Sequence, residues 1–298
     1  MTDKNHIADW FKELQDKICT ELTLLDGSGR FIEDLWQRNE GGGGRTRIFD
    51  QGELIEKGGV NFSAVHGPTP PKILEALELE KADFFASGVS IVLHPYSPKV
   101  PIIHMNVRYF EMSNGTFWFG GGIDLTPHYI DQQLAKKFHR QLKNTCDQYS
   151  AEYYPHFKNW ADDYFYVKHR NETRGIGGIF FDRLSENEHF SKEDRWKFVK
   201  GVGETFVPAY REQVEATRHL SYTEAEKEWQ HLRRGRYVEF NLVWDKGTKF
   251  GLDTNGRTES ILMSMPPMAQ WTYDHQPAAG SKEAETLQWL RKGINWLK

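Results

Sequence analysis

Apolar and polar positions alternate most cleanly between Ile102 and Phe110. Side chains switch faces at each residue of a strand, so Met105, Val107 and Tyr109 fall on one face and His104, Asn106 and Arg108 on the other. Asn114-Gly is a short-turn signal. Residues 102–112 and 116–122 therefore read as an antiparallel hairpin. Upstream, Ile7, Trp10, Phe11, Leu14, Ile18 and Leu22 recur at helical spacing, with Asp3 as the cap. Residues 46–65 read as strands and turns, and Thr69-Pro-Pro starts a helix carrying Ile73, Leu74 and Leu77. The β-branched run Gly88–His94 reads as a central strand.

Downstream, helical spacing covers about 129–150 and 156–169, and Gly177–Asp182 returns to strand. Ser191-x-x-Asp194 starts a helix to about residue 217, and the capping box Thr223-x-x-Glu226 starts another. The β-rich run Arg236–Trp244 reads as a long strand, separated by Asn255-Gly256 from a second strand over Thr258–Ser264. Ser281 caps a last helix with Leu287, Leu290, Ile294 and Leu297. Paired strands followed by clustered helices, with no long linker and no repeat, predict an α+β fold. The expected architecture is one domain, residues 1–298, built on a large antiparallel β-sheet flanked by helices on both faces.

Composition narrows the function. A net charge of −4 argues against nucleic acid or an anionic membrane as a nonspecific partner. Any anionic ligand must be held by local cations. The only cysteines, Cys19 and Cys146, exclude a disulfide framework and a thiolate metal cage. No apolar run approaches membrane-spanning length, and the first residues show neither a signal core nor an arginine-rich transit helix. These features predict a soluble cytoplasmic protein with no integral membrane segment.

Four groups of residues carry candidate chemistry. His104, Asn106 and Arg108 put an acid–base group, an amide and a fixed cation in one row, although alternation alone fits a solvated strand equally well. Gly120-Gly-Gly-Ile-Asp124 follows, a glycine run ending in a carboxylate. Arg174-Gly-Ile-Gly-Gly178 and Asn255-Gly-Arg257 each present an arginine beside glycines, and each also fits a plain turn. His94, His104, His139 and His169 match no compact metal motif.

These segments together resemble the oxygen-dependent coproporphyrinogen III oxidase family across nearly the whole chain. The resemblance rests on Gly42-Gly-Gly-Arg-Thr46, Gly59-Val-Asn-Phe-Ser63, Ala86-Ser-Gly-Val-Ser90, His104-Met-Asn-Val-Arg-Tyr-Phe-Glu111 and Trp118-Phe-Gly-Gly-Gly-Ile-Asp-Leu-Thr-Pro127. It continues in Asp163–Arg170, Arg174–Asp182, Arg234–Asn241 and Glu259–Pro267. It implies oxidative decarboxylation of two propionates of coproporphyrinogen III to vinyl groups, giving protoporphyrinogen IX. Dioxygen is then the co-substrate, no organic cofactor is needed, and the chain forms a homodimer through roughly Tyr237–Trp271. The implied proton donor is His104, and the acid near the pyrrole N–H groups is Asp124. The implied substrate contacts are Ser90, Asn106, Val107, Arg108, Arg174, Asn255, Gly256 and Arg257. Some members are described with a divalent metal on histidines matching His94, His104, His139 and His169, others with none. Two departures stand out: Arg183 where members often carry a second acid, and Asn255 where glycine is usual.

The resemblance carries a chemical expectation. Arg108, Arg174 and Arg257 would anchor carboxylates at the rim of the macrocycle, because guanidinium pairs with carboxylate in two places at once. Asp124 would address the pyrrole nitrogens at its centre, and His104 would hand a proton to the departing peroxide. The same arginines would also serve a non-catalytic tetrapyrrole carrier.

Overall fold

The computed structural model describes residues 2–298 apart from 70, 72, 73, 76–79, 254 and 255. Helix α1, Lys4–Asp26, begins at Asp3, whose side chain accepts hydrogen bonds from the N–H groups of Asn5 and His6. Six antiparallel strands follow: β1 Arg30–Gln37, β2 Gly42–Asp50, β3 Ile55–Pro68, β4 Asp83–Pro95, β5 Ile102–Met112 and β6 Phe117–Thr126. Helices α2 Gln132–Asp147 and α3 Tyr153–Tyr164 lead through the short pair β7 Tyr166–Val167 and β8 Glu172–Thr173 to β9, Gly177–Leu184. The sheet order is β1-β2-β3-β4-β5-β6-β9, so each strand up to β6 pairs with its neighbour in sequence and β9 closes the far edge. Local hairpin pairing of this kind follows directly from short turns between alternating segments.

The two faces differ. Val60, Val89, Ile91, Ile103, Met105, Val107, Phe119, Ile123, Ile179 and Phe181 point to one side and form the main core with α1, α2 and helix α4, Lys192–Thr217. The other side carries polar residues and glycines and is covered by a different set of elements. These are helix α5, Glu224–Glu239, a π-helical turn at Phe240–Trp244, and helices α6, Lys246–Asp253, and α7, Thr258–Leu262. There Tyr237 packs on Val92 and Ile102, while Phe240 packs on Phe165 and Phe180. Helix α3 straddles the β9 edge: Phe157 meets Phe181 on one face at 5.3 Å, and Tyr164 stacks on Phe180 on the other at 3.9 Å. A sheet edge so covered presents no open strand. The fold is a single α+β domain, with helices on both faces as expected.

Four predicted elements are corrected. Arg236–Trp244 is not a strand; α5 runs to Glu239 and continues as the π-helical turn. Its β-rich composition hides a helical stripe, because Tyr237, Phe240, Asn241 and Trp244 recur at i, i+3, i+4 and i+7, and burial of that stripe outweighs β-propensity. Thr258–Ser264 is likewise helical over Thr258–Leu262, so the expected strand pair between Tyr237 and Trp271 is absent among the described residues. Helix α3 stops at Tyr164, which leaves His169 in a 3-10 turn, Lys168–Arg170. The last helix, α8, Lys282–Trp289, begins at Ser281 as predicted but ends before Leu290, Ile294 and Leu297. Of the helix expected after Thr69-Pro-Pro, Ile73 and Leu77 lie outside the described residues.

Candidate active site

The sheet register assembles the site. On the face beneath α5–α7 one row runs across all seven main strands: Asp34, Thr46, Asn61, Ser90, Asn106, Gly122 and Phe180. On one side of it lies the row Val92, His104, Asp124. On the other lies Gly88, Arg108, Gly120. Ser90, Asn106, Arg108, His104 and Asp124 thus share one surface, in rows roughly 7 Å apart. Exposure falls along β5 from the Arg108 side chain at 38% to His104 at 21%, and then to Asp124 on β6 at 1%.

Asp124 is the deepest charge. Its Oδ1 accepts from His104 Nδ1 at 2.8 Å and from Arg174 Nη2 at 2.6 Å, and its Oδ2 accepts from Arg174 Nε at 3.2 Å. Burial alone would raise its pKa, but the Arg174 guanidinium and the His104 hydrogen bond reverse this and hold it below the usual carboxylate value. Asp124 is therefore an anion and can only accept, which puts a proton of His104 on Nδ1 and leaves Nε2 as the nitrogen able to accept one.

Arg174 lies buried beneath the cleft rather than at its rim. It is 4% exposed, and its remaining nitrogen, Nη1, donates to Asn241 Oδ1 at 2.8 Å. Phe165, Tyr237 and Phe240 surround the guanidinium at 4.5, 4.6 and 4.7 Å from their ring centres. It is the fixed counter-ion of Asp124. The aromatic box and Asn241 escaped the sequence analysis because three of the four belong to the helical stripe misread as a strand.

The other two arginines are nearer the surface, and each already meets an aspartate. Arg108 donates from Nη1 to Asn106 Oδ1 at 2.7 Å and from Nη2 to Asp182 Oδ1 at 2.8 Å. Gly120 makes room for this pair, since a Cβ there would lie 2.6 Å from Arg108 Nε and 2.7 Å from Asp182 Oδ1. Arg257 donates to Asp34 and, at 3.0 Å, to Ser260 Oγ. Asp182 and Asp34 were missed because their positions opposite Gly120 and near Arg257 are facts of register and chain crossing, invisible in local spacing. Gly256 is exposed beside Arg257. Asn255 lies outside the described residues. Val107 does not join the site: its side chain is fully buried on the opposite face, and its partners in the ladder are Val89 and Gly121.

A segment of α7 and its C-terminal end lies on the polar row. Asn61 donates to the Ser260 carbonyl at 2.8 Å, and Thr46 and Ser260 hydroxyls pair at 3.1 Å. His94 Nε2 donates to the Ser264 carbonyl at 2.9 Å. Met263 presses on Gly59, where a Cβ would stand 2.3 Å from its sulfur.

The four histidines do not converge. His94 and His104 are on the same face, but His104 is bound to Asp124 and His94 to Ser264. His139 sits in the main core, with Nδ1 on the Tyr154 hydroxyl at 3.0 Å and Nε2 on the Ile176 carbonyl at 2.9 Å. Burial lowers the pKa of His94 and of His139 to about 3. His169 donates to Glu239 and accepts from Trp244 Nε1. Among the described residues no group of three or more His, Cys, Asp or Glu side chains is placed to hold a metal ion. The donor set as folded does not fit one. No helix among them is long and apolar enough to cross a membrane.

A sequence model of the family described as coproporphyrinogen III oxidase matches residues 6–296.

Proposed function

The chain belongs to the coproporphyrinogen III oxidase family, and on that footing we propose that it performs the oxygen-dependent decarboxylation of two propionates of coproporphyrinogen III, yielding protoporphyrinogen IX. The observation that carries the reading is the His104–Asp124 pair, buried on the Asp124 side and open on the His104 side, two residues along β5 from Asn106 and four from Arg108. Arg108 meets a rim carboxylate, and the half-buried amide and hydroxyl of Asn106 and Ser90 line the way inward. His104 Nε2 removes a pyrrole N–H proton, and Asp124 stabilises the imidazolium that forms. This revises the expectation for Asp124, which acts through His104 rather than by touching the macrocycle.

The deprotonated pyrrole is a strong electron donor. The carbon joining the propionate to the ring loses a hydride equivalent to dioxygen. The bond to the carboxylate then breaks, its electron pair completes the vinyl double bond, and carbon dioxide leaves. Dioxygen with the hydride equivalent and one proton becomes hydrogen peroxide, the His104 imidazolium supplies that proton, and the pyrrole nitrogen, left anionic as the vinyl group forms, takes one proton back from water. The substrate provides the electrons, so the reading needs no organic cofactor. Solvent-exposed Leu242, Val243, Met268 and Trp271 suit burial against a second copy, and the homodimer is part of the proposal. So is a cytoplasmic site of action.

The test holds chelator-stripped protein of measured metal content with coproporphyrinogen III without oxygen, then admits air. Product is read as protoporphyrin fluorescence after oxidation. Vinyl formation only after air is the expected result. Tight binding with no conversion would leave a carrier.

A further inference from the structure

Three arginine–aspartate pairs mark this face, and they fall into two kinds. The Arg174 and Asp124 side chains are 3% and 1% exposed and held by further partners. Arg108 and Asp182 are 38% and 37% exposed, and Arg257 and Asp34 are 28% and 48% exposed. A buried pair cannot lose one member without stranding the other charge. An exposed pair contributes little net stability, because water solvates both groups when they part. The outer pairs are therefore exchangeable, whereas the inner one is permanent.

We propose that Asp182 is a stand-in carboxylate: it occupies Arg108 until a substrate carboxylate displaces it, and so makes the cleft select for ligands that carry a carboxylate to replace it. The inference deepens the polycarboxylate reading of the site and rests on it. Asp182 Oδ1 accepts from the same Nη2 that a substrate carboxylate would use. Asn106 keeps Nη1 and so holds the guanidinium in place while the exchange occurs. The recess over Gly120 lets Arg108 and Asp182 approach across β6 rather than rise away from the sheet. Once displaced, Asp182 remains beside the site as an unpaired anion. It then repels any ligand whose negative charge is not fully taken up by Arg108. A ligand with no carboxylate to replace it gains nothing from Arg108, which is selectivity through a built-in competitor. Asp34 repeats the arrangement at Arg257, in the Asn106 row but four strand spacings away, roughly 19 Å along the sheet.

The experiment compares parent, Asp182→Asn, Asp34→Asn and Arg108→Ala. Equilibrium binding of coproporphyrin III, a stable tetracarboxylate, and of a dicarboxylate porphyrin is followed by fluorescence quenching. Asp182→Asn should bind both roughly two- to fivefold more tightly, the scale of one exposed ion pair. The gain should be larger for the tetracarboxylate, which brings more negative charge beside the displaced Asp182, and Asp34→Asn should give a smaller change in the same direction. Weaker binding, matching Arg108→Ala, would show Asp182 to be a prop for Arg108 and overturn the proposal. Unchanged binding would overturn it too. A second readout needs no porphyrin: labelling of Arg108 by phenylglyoxal, followed by peptide mass spectrometry. It should run faster in Asp182→Asn than in the parent, and equal rates count against the proposal even if the parent binds no tetrapyrrole, an outcome that would separately defeat the functional reading.

Discussion

His104 Nδ1 stands 2.8 Å from Asp124 Oδ1, and the carboxylate behind it is 1% exposed. In the proposed reaction the acid therefore acts only through the histidine. Two substitutions at the same position separate its duties. Asp124→Asn keeps the shape but offers an amide N–H where His104 needs an acceptor, favouring the wrong imidazole tautomer. Turnover should fall by roughly a thousandfold or more, with little change in KM. Both variants remove the counter-charge of the buried Arg174 guanidinium, so unfolding free energy should drop by about 3–5 kcal/mol in Asp124→Ala and by less in Asp124→Asn, whose amide oxygen still accepts from Arg174. Steady-state kinetics together with urea unfolding resolves the two effects. An Asp124→Asn enzyme with parental kcat would remove the dyad from the mechanism.

Arg108 is different in kind. Its removal breaks an exposed pair, so stability should change by less than about 1 kcal/mol. The loss should appear in substrate affinity, as a rise in KM of roughly tenfold, the scale of one charged hydrogen bond. Gly120→Ala gives an independent check, because its Cβ would push Arg108 from Asp182 without removing either charge. It should raise KM while leaving the His104–Asp124 pair and the pH profile of kcat in place. A shift of that profile would mean that the two rows of the sheet are coupled.

The sheet could be read from the sequence because its information is local. Alternation in Ile102–Phe110, the Asn114-Gly turn and the glycine run ending at Asp124 determine a hairpin, and the hairpin register places His104 opposite Asp124. The capping residues Asp3, Ser191, Thr223 and Ser281 were legible for the same reason. What covers the site was not. The stripe Tyr237–Phe240–Asn241 is built from residues that favour strands, and only its packing on Val92, Phe165 and Arg174 makes it helical. Arg174 looked like a rim anchor in its Arg-Gly-Ile-Gly-Gly context. Its true partner is 50 residues away, and burial decides its role. Val107 entered only through the family resemblance, and alternation sends its side chain into the opposite core.

Asp26 provides a stability test remote from the chemistry. It is 1% exposed and accepts from the backbone N–H groups of Gly29, Glu53, Leu54 and Ile55, each at 2.9–3.0 Å. Burial raises its pKa, but the four backbone donors outweigh that and hold it below the usual carboxylate value. It ties the end of α1 to the β2–β3 turn. Asp26→Ala leaves those N–H groups without acceptors and should cost about 3 kcal/mol. Calorimetry should show a lower Tm, and amide exchange at Leu54 and Ile55 should accelerate. Unchanged exchange at those two amides would show that the carboxylate does not hold the turn.

Glu239 gives a pH-resolved prediction. At the C-terminal end of α5 it accepts from Arg170 at 2.7 and 2.8 Å, from His169 at 2.7 Å, from Trp271 at 2.9 Å and from Arg236 at 3.1 Å. Burial opposes its ionisation, yet these donors, Arg170 first, bring its pKa from 4.5 down to about 2. A carboxylate with a depressed folded-state pKa stabilises the fold fully above its unfolded value and loses that contribution as pH falls through the folded one. The contribution is therefore complete above pH 4.5 and disappears between pH 4.5 and about 2. Arg170 and His169 are each 39% exposed, so screening reduces its size to about 1–3 kcal/mol. Glu239→Gln should be less stable than the parent by that amount at pH 7, and the gap should close as pH is lowered across the same window. Urea unfolding at a series of pH values measures it directly. A gap that stays constant down to pH 2.5 would mean that Glu239 contributes by packing rather than by charge, and that the contact of Trp271 with α5 does not depend on an ionised carboxylate.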